Sequence, residues 1–163
     1  MDLNRKVDRE SYTATDMPLY PARVLTAHCL MKGLQAGSVL GLFAITPAHK
    51  FLKKEALTTS WRRMMPGSVI AGTTISMGLL AFKGYQGQLD IAGVDDRAYR
   101  ISKSEGQVKV DRYSMIGGFV GASLGAILGR FSGGNIVAGS STGIALGVVF
   151  YMTEKLKLLD QFK

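Results

Sequence analysis

The sequence predicts an all-α membrane protein with four transmembrane helices held together by glycine-rich, small-xxx-small packing faces. Three observations carry this expectation. Within 163 residues, four long runs contain no Asp, Glu, Lys or Arg: Gly33–His49, Met64–Phe82, Tyr113–Gly129 and Phe131–Thr153, of 17, 19, 17 and 23 residues. A helix rises about 1.5 Å per residue and needs roughly 20 residues, about 17 at the least, to cross the hydrocarbon of a bilayer. Second, the runs lack the polar stripe of period 3.6 that a soluble bundle would carry; from Ser114 to Gly129 the only polar side chains are Ser114 and Ser123. Third, many of the 20 glycines fall inside these runs at intervals of four.

Met1–Arg23 carries four acidic and four basic residues with Pro18 and Pro21 near its end, and reads as an extended arm (1–23). It is too acidic for a mitochondrial presequence and has no apolar core for a secretory signal. The first span is expected at 24–46, since only His28 breaks the apolar stretch before Gly33 and the Lys32 ammonium can snorkel along its own stem. The connection Lys50–Arg63 holds five basic residues against Glu55. Pro66 then suits the first turn of a second span at 64–82. The connection at 83–112 has six basic and five acidic groups and reads as a small ordered excursion punctuated by glycines. A third span follows at 113–129, and the Ser132-Gly-Gly-Asn135 sequence predicts a tight turn into a fourth at 134–152, so the last two spans form a hairpin. The tail, 154–163, alternates charges with Leu156, Leu158, Leu159 and Phe162, as an interfacial segment would. These segments make one membrane domain at 24–153.

Glycine costs close to 1 kcal/mol in a helix exposed to water, so the rows need a reason. Gly33, Gly37 and Gly41 form one; Ser68, Gly72 and Ser76 form a second; Gly117, Gly121, Gly125 and Gly129 a third; Gly139, Gly143 and Gly147 a fourth. Inside lipid there is no hydrophobic drive between helices, and small-residue rows allow the close backbone approach that replaces it. The rows either close on one another or open a groove for a polypeptide, a lipid or a neighbouring subunit's helix. The bulkier Phe119, Leu124, Ile127 and Leu128 on the other side of the third span would meet lipid or a partner.

No catalytic chemistry is evident. One cysteine, Cys29, and two histidines, His28 and His49, fall short of the four ligands of a zinc or iron–sulfur site, so no metal and no cofactor is expected. Adjacent positions on a helix face different ways, which disfavours a His28–Cys29 nucleophilic pair. Asp95 and Asp96 sit beside Arg97 and Arg100, as in a solvated salt-bridge cluster. No phosphate-binding glycine loop follows a strand. The net charge of +8 is gathered at span ends rather than along a soluble face interleaved with aromatics, which excludes nucleic acid as the expected partner. Lys50, Lys53, Lys54, Arg62 and Arg63 either bind an anionic headgroup of the cardiolipin type or record the positive side of the membrane.

The segment Asp111-Arg-Tyr-Ser-Met-Ile-Gly117-Gly118-Phe-Val-Gly121, with the glycine rows, the basic first connection and the tight last turn, resembles the mitochondrial inner-membrane translocase and preprotein/amino-acid transporter superfamily. The likeness covers the helical core, about half of the chain. Four residues before the aspartate, where that family carries arginine, stands Gln107. The resemblance implies a multi-pass protein of the mitochondrial inner membrane with other membrane subunits as partners. Its members include protein translocases, solute channels of organellar envelopes and accessory subunits of respiratory complex I. A conducting member should line its path with polar or acidic groups, whereas here the span interiors hold no carboxylate and Gln35 is their one strong polar group. The expectation is therefore a non-catalytic accessory subunit that stabilises the membrane arm of complex I, with a translocase component or solute channel as the alternative.

Overall fold

A proline at the first position of a helix loses no hydrogen bond and arrives with its φ already helical, and Pro21 opens α1 (Pro21–Leu40). The computed structural model describes residues 20–129 and 131–160. Most of the expected arm, 1–19, and the end of the tail, including the Leu158 and Leu159 side chains and Phe162, lie outside the described residues. One wide π-type turn, Gly41–Ile45, carries α1 directly into α2 (Thr46–Lys53), so a single rod of 33 residues runs from Pro21 to Lys53. The rod ends at Lys54, whose φ of 52° is left-handed. After Glu55 and Ala56, α3 (Leu57–Tyr85) returns antiparallel to it. Asp90 caps α4 (Ile91–Lys103), its carboxylate accepting from the Gly93 N–H at 2.9 Å. α5 (Glu105–Leu128) and α6 (Gly133–Asp160) complete the chain, and no strand occurs among the described residues.

Several boundaries differ from the sequence expectation, for one physical reason: lysine, arginine, glutamine and glutamate are good helix formers. Charge marks where the apolar run stops, while the helix continues. Lys50 and Lys53 belong to α2, and Arg62 and Arg63 to α3, so the basic connection expected over Lys50–Arg63 shrinks to a turn around Glu55. Pro66 lies inside α3 rather than at its start, which leaves the Arg62 carbonyl without its usual amide donor. The excursion at 83–112 holds the amphipathic α4 and the first two turns of α5. Gly133, Gly134 and Asn135 already belong to α6, and the turn before it uses Phe131, at a φ of 60°, with the Asn135 side chain donating to the Gly129 carbonyl at 3.3 Å. The expected tail, as far as Asp160, continues α6 without a break.

Among the described residues three helices, not four, are long and apolar enough to cross a membrane: Pro21–Lys53, Leu57–Tyr85 and Gly133–Lys157. The expected span at 113–129 falls short because α5 stops at Leu128, leaving only the stretch from Tyr113 free of charge. That stretch is about 24 Å long, against a hydrocarbon thickness of about 30 Å.

The helices pack as two antiparallel pairs, α1 with α3 and α5 with α6, with α6 also touching α1 and α3, and α4 lying on α1. Between them the interior is mostly small or hydroxylic, with Met65, Leu25 and Val110 as its larger apolar members. Ala98, Ala138, Ala145, Met65, Ser38, Ser60 and Ser114 are fully buried. Large apolar side chains point outward instead: Ile70, Ile75, Leu79 and Phe82 on α3, and Phe119, Ile127 and Leu128 on α5, are all more than half exposed. A water-soluble domain arranges these classes the other way round.

Candidate functional site

The glycine rows approach one another closely within each helix pair. A Cβ at Gly143 would strike the Gly117 carbonyl, one at Gly139 the Gly121 carbonyl and one at Gly125 the Asn135 carbonyl, so the α5–α6 seam is backbone against backbone. Gly147 meets the Tyr113 carbonyl in the same way, and Gly129 the Asn135 side chain. On the other pair, a Cβ at Gly72 would stand 2.7 Å from the Gly37 Cα, and one at Gly33 2.7 Å from the Thr73 Cα. Gly41 faces Ser68 and Met65, where the π-type turn begins. Several of the intervening hydroxyls are satisfied within their own helices, Ser76 donates across to the Cys29 carbonyl at 2.6 Å, and Ser38 Oγ and Thr73 Oγ1 are buried without a partner. Ser68, Ser114 and Ser141 donate to the carbonyls of Met65, Val110 and Val137 at 2.8 Å each, which lets them be buried without a loose donor.

The two pairs are joined by polar groups that the sequence reading kept apart. His28, Lys32 and Gln35 recur at helical spacing on α1, as do Gln107, Asp111 and Ser114 on α5. The Lys32 ammonium donates to Asp111 Oδ1 at 2.8 Å and to Gln35 Oε1 at 2.9 Å. Gln35 Nε2 donates to the same Asp111 oxygen at 2.7 Å and to Ser114 Oγ at 3.1 Å. Every member of this closed network serves another, as a buried polar cluster requires. Lys32 therefore pairs with a carboxylate rather than snorkelling. Asp111, expected just outside the third span, faces the first. Gln35 is 6% exposed, and the Lys32 and Asp111 side chains are 31% and 26% exposed. At the edge of the network, His28 Nδ1 and Gln107 Oε1 are buried without a partner. The i, i+4, i+7 spacing on both helices was a readable signal for this ladder; the distance of 79 residues between Lys32 and Asp111 hid its pairing.

A second feature is a cavity of about 640 Å3 over the α5–α6 seam. Its floor is the seam's glycines, its sides are apolar residues such as Ile116, Leu124 and Leu146, and the first turns of α3 overhang it with Thr58, Trp61 and Arg62. The Trp61 indole N–H donates to Thr142 Oγ1 at 2.8 Å, and Thr142 donates in turn to the Ala138 carbonyl, which pins α3 across α6.

The five basic residues singled out from the sequence gather around the α2–α3 turn but differ in engagement. Arg63 lies 3.5 Å from Glu55, which His49 also approaches at 3.9 Å, and Lys50 lies 5.9 Å over the Phe51 ring. Arg62 has no acidic partner among the described residues. On α4, Asp96 pairs with Arg100 at 2.9 Å, a surface i, i+4 bridge like the one expected there. Among the described residues no group of three or more His, Cys, Asp or Glu is placed to hold a metal.

A family model described as "Protein of unknown function (DUF1757)" matches residues 7–153. The chain belongs to the DUF1757 family. The matched DUF1757 region takes in both helix pairs, the Lys32–Gln35–Asp111–Ser114 network and the cavity. No curated protein matches the chain.

Proposed function

We propose that this DUF1757 chain is a multi-pass membrane protein that serves as a non-catalytic structural subunit of a larger membrane assembly. The observation that carries the reading is the inverted arrangement of side chains: small and hydroxylic residues inside, large apolar residues outside on α3 and α5. In water such a surface would drive aggregation, whereas in a bilayer it is the ordinary outer face of a helix bundle held by small-residue seams. Three helices of sufficient length and hydropathy support the same reading.

A structural role fits better than a conducting one because Lys32, Gln35, Asp111 and Ser114, which join the two helix pairs, are bonded to each other, and the cavity over the α5–α6 seam is lined mainly by apolar residues. A path for ions or solutes would present such groups to water. The resemblance of the segment from Asp111 to Gly121 to the inner-membrane translocase superfamily directs the reading to the mitochondrial inner membrane, and within it to an accessory place in the membrane arm of respiratory complex I. Anionic phospholipid and neighbouring membrane subunits are the partners this assigns. Depletion of the chain tests the role: the amount of assembled complex should fall while turnover per assembled complex stays constant. A fall in turnover per complex would contradict a purely structural part.

A further inference from the structure

The turn that joins α2 to α3 brings a histidine, a serine and a carboxylate together. His49 stands one helical turn before the end of α2, and Ser60 lies in the first turn of α3. Their side chains meet, with His49 Nδ1 3.1 Å from Ser60 Oγ. Ser60 is fully buried, and among the described residues this ring nitrogen is the one partner of its hydroxyl. Glu55 Oε2 approaches the same nitrogen at 3.9 Å and is itself buried without a hydrogen-bond partner. The other carboxylate oxygen, Oε1, lies 3.5 Å from the exposed Arg63 guanidinium.

One nitrogen thus stands before two partners, and its proton decides between them. A bare Nδ1 accepts from a hydroxyl and offers nothing to a carboxylate, which only accepts. A protonated ring donates from Nδ1, and the carboxylate is then the better acceptor, because a hydrogen bond between charged groups is about twice as strong as a neutral one. A movement of about 1 Å by the part-exposed Glu55 side chain closes the 3.9 Å gap. Ser60 then has an acceptor four residues back in its own chain, the Ala56 carbonyl, the kind of bond that Ser114 makes to Val110.

α2 packs against α3 and the π-type turn Gly41–Ile45, which holds no titratable side chain. The other charges beside the α2–α3 turn are Lys50 and Lys53 on α2, Lys54 after it, and Arg62 and Arg63 on α3, all side chains of a kind that stays cationic while histidine titrates. Glu55 is the one carboxylate of the turn. We propose that His49 is a proton-operated latch on the α2–α3 turn, holding Ser60 when neutral and Glu55 when protonated. Acidification exchanges a neutral bond between α2 and α3 for an ionic bond from α2 to the turn. The latch is independent of the membrane and subunit reading above.

The test is denaturant titration of the full chain in detergent micelles at pH 8 and at pH 5.5, between which an ordinary histidine gains its proton while ordinary carboxylates stay ionised. Ser60→Ala should lower the folding equilibrium constant about fivefold at pH 8 and hardly at all at pH 5.5, and Glu55→Gln should do the reverse. Arg63→Gln should change little at either pH, since its pair with Glu55 is exposed on the arginine side. In His49→Phe both pH-dependent losses should vanish. Should that variant not fold, the two single variants still decide, because His28 lies 21 residues away along the rod, about 31 Å, out of reach of either. A loss equal at the two pH values in Ser60→Ala or in Glu55→Gln would overturn the proposal, as would a pH dependence that survives in His49→Phe.

Discussion

The Lys32–Asp111 pair is the sharpest point at which to perturb the fold, because it ties α1 to α5 where the two backbones do not pack along their lengths. Asp111→Asn keeps the oxygen that accepts from Gln35 but removes the charge that holds the ammonium at 2.8 Å. Exposed ion pairs are worth about 0.2–1 kcal/mol, and breaking a fully buried one costs about 3–5 kcal/mol. At 31% and 26% exposure this pair lies between the limits, and the second bond from Gln35 stiffens its geometry. We expect a loss of about 2 kcal/mol for Asp111→Asn and about the same for Lys32→Met, each single change leaving the other partner poorly satisfied. The double variant should lose little more than either single one, giving a coupling of about 1–2 kcal/mol. Denaturant titration in detergent micelles, followed by far-ultraviolet circular dichroism, measures all four corners of the cycle. A coupling below about 0.5 kcal/mol, with the single losses simply adding, would refute the network as drawn.

Other consequences are as direct. Gly143→Leu, which drives a side chain into the Gly117 carbonyl, should separate α5 from α6 and cost well over the ~1–3 kcal/mol of ordinary overpacking, read as lost protease protection of the hairpin. Gly78→Ala, in α3 with open space around it, should instead stabilise by about 0.5 kcal/mol in the same titration. Trp61→Phe removes the bond to Thr142 and should cost about 1 kcal/mol, with Thr142→Val adding little to it. In planar bilayers the purified chain should carry no voltage-dependent current; a current reduced by Gly121→Leu would move the assignment to a channel.

The helices and the glycine rows were legible because both rest on local patterns, uncharged length and a spacing of four. Which row meets which was less so: Gly33 and Gly37 find Thr73, Ser68 and Val69, while Gly117 and Gly121 find Gly143 and Gly139, and only the tight turn after α5 announced the second pairing. Helix ends were misjudged wherever Lys, Arg or Gln carried a helix past its apolar run, as at Lys50, Arg62 and Gln107. Span number was misjudged at α5, whose uncharged stretch is too short once its end at Leu128 is fixed. The polar ladder was the main omission. Lys32 read alone looks like a snorkelling cation, and Asp111 like a loop carboxylate; only the fold brings them within 2.8 Å.

The central claim, that this chain is a structural part of a larger membrane assembly, is tested most directly by native electrophoresis of mitochondrial membranes solubilised in mild detergent, with mass spectrometry of every band that contains the chain. The account predicts recovery in the band of a large respiratory complex, together with that complex's membrane subunits. Recovery solely as a small separate oligomer, or in the soluble fraction, would contradict it.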